Sequence, residues 1–206
     1  MSLRKAGQLT FPDYSGVRCL MMPYIQGDAA SVPSEYAAYD TIINSVFIKR
    51  GDVGFLTIDE SPAVKGIPHR GQRAKYGRAI HTEAGKHPDR SLRWGGTWGS
   101  ADYVIIDRDA TVLLANSLDD TCAIWDASHE DTSRDGDIGH FSESYPYDRA
   151  ILMKAGDVYE IGILTPHESL PLKADCRRQF LRILSSGVHG REPYFTENPL
   201  MRDRCG

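Results

Sequence analysis

The chain has 206 residues, 41% of them hydrophobic and 25% charged, with a formal net charge of −4. That length suits one domain with a full core and no need of disulfide or metal staples. The charge argues against nucleic-acid or anionic-membrane binding through bulk electrostatics. No apolar run approaches the roughly 20 residues that span a bilayer, and no charged-then-apolar leader is evident. Cys19, Cys122, Cys176 and Cys205 are scattered without a C-x-x-C pair, which reads as reduced thiols and a cytoplasmic setting.

Along the chain, residues 1–60 form an N-terminal flank. Arg18 to Tyr24 is a short apolar run closed by Pro23, read as a first strand or a buried arm. Ser34 offers an N-cap for SEYAAYDTIINSVFI, where Tyr36, Tyr39, Ile42, Ile43, Val46 and Phe47 recur at helical spacing. The expectation is one helix over Ser34 to Ile48, packed on the core. Val53 to Ile58 follows as a strand rich in β-branched and aromatic residues. From 61 to 100 periodicity is lost in a long Arg-, Gly- and His-rich stretch, with a short strand expected near Arg78 to Thr82. Stretches of this kind inside a compact domain are usually functional. RWGGTWGS, near its end, reads as a tight turn whose tryptophans cap the core.

Residues 101–186 then become all-β. Strands are expected at Tyr103 to Ile106, Thr111 to Ala115, Thr121 to Trp125, Ala150 to Met153, Val158 to Leu164 and Gln179 to Leu184. Turn signals such as Gly156-Asp157 stand between them. Many short strands separated by turns indicate a sandwich or closed barrel. Residues 187–206, with Pro193 and Pro199, read as an extended arm over it.

The chemistry concentrates after Ala150. His167 stands in LTPHESLP just past a strand whose odd positions, Tyr159, Ile161 and Ile163, face the core. Pro166 and Pro171 end the ladder and set the imidazole at the barrel mouth, where it suits metal binding. Arg177 and Arg178 follow by ten and eleven positions. An arginine fork grips a carboxylate by two parallel hydrogen bonds. Period-two alternation puts Arg178, Phe180 and Arg182 on one face of their strand and Gln179, Leu181 and Ile183 on the other. Acidic runs lack EF-hand spacing, and no serine sits in a G-x-S-x-G frame.

This segment resembles the double-stranded β-helix (jelly-roll) proteins, especially the iron(II)- and 2-oxoglutarate-dependent oxygenases. The resemblance implies a mainly β jelly-roll barrel with one or two flanking helices. It implies His167 as a metal ligand, with Arg178 or Arg177 on the distal carboxylate of 2-oxoglutarate. It also implies an earlier H-x-D/E pair that completes a facial triad of two His and one carboxylate. His81-Thr82-Glu83 matches, 86 positions before His167; His87-Pro88-Asp89 matches too, but its proline disfavours a paired strand. A cupin-like site would draw instead on Asp126, His129 and His140.

The reading is therefore an oxygenase with Fe(2+), or another divalent transition metal, that acts on a small molecule with 2-oxoglutarate as co-substrate. Neither nucleic acid nor membrane is expected as a partner, and homo-oligomers are compatible with the reading. The alternatives are a cupin-like isomerase or dioxygenase, and a non-catalytic jelly-roll binding or structural module.

Overall fold

The computed structural model describes residues 3–68, 77–94, 105–132, 136–185, 188–189 and 195–201. In chain order the strands are β1 (Arg4–Gln8), β2 (Arg18–Ile25), β3 (Val53–Ala63), β4 (Ala84–Lys86), β5 (Leu92–Trp94), β6 (Ile105–Ile106) and β7 (Thr111–Asn116). They continue with β8 (Cys122–Ile124), β9 (Ile151–Leu152), β10 (Asp157–Gly162), β11 (His167–Ser169), β12 (Cys176–Leu184) and β13 (Val188–His189). The protein is mainly β, and among the described residues the strands named above pair antiparallel.

One large sheet has the order β1-β10-β7-β12-β3-β2, and two smaller ones run β11-β8-β9 and β13-β6-β5-β4. An isolated bridge between His81 and His167 adds the segment before β4 to the edge of β11. Among the described residues these sheets do not close into a barrel, contrary to the barrel expected from sequence. The strands are too short to wrap round: β8 and β11 have three residues each and β9 has two.

The pairing is nested. β3 pairs with β12, the His81 segment with β11, β7 with β10, and β8 with β9. These paired segments thus nest like one long hairpin whose two arms pair from their far ends inward to β8–β9. Successive pairs fall alternately in the large sheet and in the smaller one.

The alternation of side chains on the large sheet explains its two cores. One face carries Val112, Leu114, Tyr159, Ile161 and Leu184, which pack against Cys122, Ile124 and Met153 from the small-sheet side. The other face carries Leu56, Ile58, Leu113, Ala115, Leu181 and Ile183, covered by Tyr36, Tyr39, Ile42 and Ile43 of the N-terminal flank. The result is a layered molecule with the large sheet in the middle.

The flank differs from the single helix expected. A 3-10 stretch over Ser34–Tyr39 runs into a short helix, α1 (Asp40–Ser45), and the chain leaves helical geometry at Val46. Tyr36, Tyr39 and Ile42 are three apart, and a 3-10 turn stacks i and i+3 on one side. Thr41, Ile42, Ile43 and Val46 are β-branched and restrict χ1 in a helix. Tertiary packing of that one stripe therefore sets the local geometry.

Of the arm, Thr196 donates its backbone N–H to Leu20 O at 2.7 Å. The buried Asn198 amide donates to Pro23 O and Ser31 O, both at 2.7 Å. These contacts pin residues 195–201 to β2. Residues 95–104, with Trp98 of the expected capping turn, lie outside the described residues.

Candidate active site

The inward face of β12 meets the small-sheet layer at a cluster of buried polar side chains. His81 and Glu83, two residues apart, both approach the His167 imidazole. Ile80 packs instead in the outer cluster with Ala123 and Trp125. His81 and His167 form a doubly hydrogen-bonded antiparallel pair. His81 N donates to His167 O at 2.9 Å, and His167 N to His81 O at 3.0 Å. That pairing holds the two rings with centroids 4.0 Å apart and a 58° tilt.

The two imidazoles repeat one local arrangement. His81 Nδ1 lies 2.9 Å from Ala79 O, and His167 Nδ1 lies 3.0 Å from Thr165 O. A carbonyl oxygen only accepts, so both Nδ1 atoms carry the proton. In the neutral ring this assigns the lone pair to Nε2, the tautomer a metal-ligating histidine uses. His167 Nε2 stands 3.4 Å from Glu83 Oε1. Two donors each about 2.1 Å from one ion are about 3.0–3.4 Å apart at octahedral to tetrahedral angles. The donor chemistry and this separation fit a divalent ion.

Among the described residues, no three His, Cys, Asp or Glu side chains already converge as a metal cage. In this trio one Glu83 oxygen, Oε1, faces His167, and the other takes the Arg182 guanidinium, whose Nη1 is 3.3 Å from Glu83 Oε2. Arg182 Nη2 also donates to Thr57 Oγ1 at 3.3 Å, and Thr57 Oγ1 accepts from Met21 N at 3.1 Å. Glu83 is 1% exposed and Arg182 2%. Met21 has a positive φ of 46° where the β2–β3 register shifts, which turns its N–H onto Thr57. Positive φ in a buried non-glycine residue is local strain of the kind found near functional sites.

Arg178 lies on the same face of β12, four residues before Arg182. It is buried, and both Nε (3.0 Å) and Nη2 donate to Asn116 Oδ1. The Asn116 amide in turn reaches Met153 Sδ at 3.5 Å. Burial lowers the Arg178 pKa from its usual value, yet arginine stays cationic in proteins. Among the described residues no carboxylate is ion-paired with it. The buried Asp59 carboxylate on β3 attracts the guanidinium and offsets part of the cost of its burial.

Arg177 is placed differently. It is exposed on the other face of β12, with Cζ 5.2 Å from the Tyr14 ring centroid. Of the two arginines that sequence left open, Arg178 is the one on the site face.

The segments bearing the histidines are clamped from behind by Glu168. Its Oε2 accepts from Arg78 Nε (3.2 Å) and Nη2 (2.8 Å) and from Tyr147 OH (3.0 Å), and Oε1 accepts from Ala79 N at 3.0 Å. Arg78 Cζ lies over the Tyr147 ring at 4.1 Å. Glu168 thus ties β11 to the chain just before His81.

The other candidates are elsewhere. Asp126 is exposed and accepts from Leu3 N at 3.2 Å. His129 Nδ1 is 2.6 Å from Tyr145 OH, and its ring packs on Phe141. His140 is exposed and packs on Phe141 as well. His87-Pro88-Asp89 forms a turn in which Asp89 accepts from Ser91 and Arg93, and those donors lower its pKa to about 2. Asn116, Thr57, Glu168 and the role of Arg182 were not singled out from sequence. Period two on β12 had nonetheless placed Arg182 beside Arg178.

No family model and no curated protein matches the chain. Among solved structures it is similar to the crystal structure of EvdMO1, at 14% identity and a TM-score of 0.33, over 74% of this chain and 30% of that one. It is also similar to the non-heme monooxygenase ThoJ in complex with nickel, at 14% identity and a TM-score of 0.29, over 68% of this chain and 45% of that one. The match spans less than half the length of either structure.

Proposed function

We propose that the chain is a non-haem iron(II) oxygenase of the 2-oxoglutarate type, built on a jelly-roll framework and acting on a small molecule. The nested pairing of eight segments supports the jelly roll. Taken from β3 to β12, they alternate between two facing sheets in the order large, small, large, small, small, large, small, large. Two interleaved Greek keys produce that order. Fold alone does not assign chemistry.

The observation that carries the function is the juxtaposition of His81, Glu83 and His167 in one buried cluster, with both imidazoles held through Nδ1. In this reading those three residues hold the ion, which when bound supplies open positions for oxygen and co-substrate. Arg178 grips the distal carboxylate of 2-oxoglutarate and so orients it, with Asn116 holding the guanidinium in place. The apolar neighbours Ile124, Met153 and Leu114 keep bulk water from the inward face.

Isothermal titration of 2-oxoglutarate into metal-loaded protein tests the reading. A charge-assisted hydrogen bond contributes about 1.5–3 kcal/mol. Loss of a bidentate pair in Arg178→Ala therefore weakens binding roughly a hundredfold or more. Arg178→Lys recovers only part, because an ammonium lacks the planar fork. No heat from the wild type removes 2-oxoglutarate from the proposal.

One observation favours a second reading, a non-catalytic jelly-roll module. The buried Arg182 guanidinium pairs with Glu83 and supplies a counter-charge of its own. In that case the cluster is a buried polar core, and Arg178→Ala lowers the melting temperature without changing any small-molecule affinity.

A further inference from the structure

We infer that Arg182 is a positioning residue for the Glu83 carboxylate, fixing which of its oxygens is offered to the ion; this rests on the metal reading above. Arg182 is fully inside the molecule, and its guanidinium spans two anchors: Nη1 on Glu83 Oε2 at 3.3 Å and Nη2 on Thr57 Oγ1 at 3.3 Å. The other carboxylate oxygen, Oε1, is the one that stands 3.4 Å from His167 Nε2. One oxygen is thereby held by the large sheet while the other faces the histidines. Free rotation about the terminal bond of Glu83 would exchange them, and the guanidinium prevents that.

The anchor is itself well supported. Arg182 is paired on both sides, opposite Thr57 on β3 and at the centre of the β12–β7 ladder opposite Leu114. Thr57 Oγ1 accepts from Met21 N as well, at the strained bulge of β2. A partner that orients a ligating carboxylate is the usual complement of a metal site, and its loss typically lowers metal affinity about 10–100-fold.

Two physical effects oppose each other here, which makes the test decisive. A guanidinium close to a divalent ion repels it, so a purely electrostatic role predicts tighter metal binding once the charge is removed. A positioning role predicts weaker binding. Cobalt(II) is the probe, titrated into apo wild type, Arg182→Met, Arg182→Lys and Thr57→Val. Affinity is read calorimetrically, the visible cobalt band reports ligand geometry, and circular dichroism and melting temperature check the fold.

The expected result is a tenfold or greater loss of affinity and an altered cobalt band in Arg182→Met, with partial recovery in Arg182→Lys. Thr57→Val keeps the charge but frees one end of the guanidinium, so it shifts both readouts in the same direction by less. Should Arg182→Met fail to fold, Arg182→Lys and Thr57→Val decide the question. Unchanged or tighter cobalt binding in folded variants overturns the positioning role and leaves the metal reading standing. Absence of cobalt binding in the wild type overturns both.

Discussion

At the residue scale, a few long-range polar contacts hold the site. Glu168 is 4% exposed and accepts four hydrogen bonds, two of them from Arg78. Its neighbour His167 and the facing His81 share a backbone bridge, so the clamp sets the spacing of the two rings. Glu168→Gln removes the charge and leaves an amide facing the same donors. We expect it to cost about 1.5–3 kcal/mol, the range for hydrogen bonds to charged groups. Urea unfolding monitored by tryptophan fluorescence measures this. A loss under about 0.5 kcal/mol would show that the clamp contributes no more than a surface ion pair does.

At the element scale, β3 organises both faces of the large sheet. Its inward residue Thr57 supports Arg182, and its outward residue Glu60 gathers the N-terminal flank. Glu60 accepts from the backbone N–H groups of Ser15 and Gly16, from Tyr39 OH and from Gln179 Nε2. Burial by itself raises the Glu60 pKa, and the combined donors outweigh it, leaving the value lowered. A lowered folded-state pKa gives stability that is fully present above the unfolded glutamate value, about 4.3. It is lost as the pH falls through the lower folded value. Glu60→Gln is therefore expected to destabilise at pH 7, and the gap from wild type is expected to shrink as the pH falls below about 4. Denaturant midpoints across that range check it. A gap that stays constant with pH would contradict it.

The same elements show how much the sequence reveals. Period two on QFLRIL assigned the two faces of β12 correctly, because strand alternation is local and strong. The H-x-E pair was visible although no strand pattern surrounds it. Only His81 makes a bridge there, so few residues were available to show alternation. The choice between Arg177 and Arg178 was not legible, since it depends on which face of β12 meets the small-sheet layer. That is settled only by pairing with β3 and β7, as are the contacts of Arg178 with Asn116 and Arg182 with Thr57, 62 and 125 positions away. The helix was read too long because apolar spacing does not distinguish 3-10 from α geometry over two turns.

At the scale of the whole molecule, the nested hairpin brings residues 81–83 and 167–182 together, although neither segment carries a complete site. The layers divide the work: the outer core with the N-terminal flank stabilises the sheet, and the inward face presents buried charge. Among the described residues no helix is long and apolar enough to cross a membrane, and Cys19, Cys122 and Cys176 are unbridged thiols. Burial pushes the Cys19 and Cys122 thiols up to about 12, so neither is a nucleophile at neutral pH.

The proposed function stands or falls with a divalent ion held by His81, Glu83 and His167. Elemental analysis of protein reconstituted anaerobically with iron(II) and then desalted tests it most directly, with His81→Ala and His167→Ala alongside. A single ion per wild-type chain is expected, with a loss of an order of magnitude or more in each variant at unchanged circular dichroism. Metal-free wild type, or iron content that survives both substitutions, would contradict it.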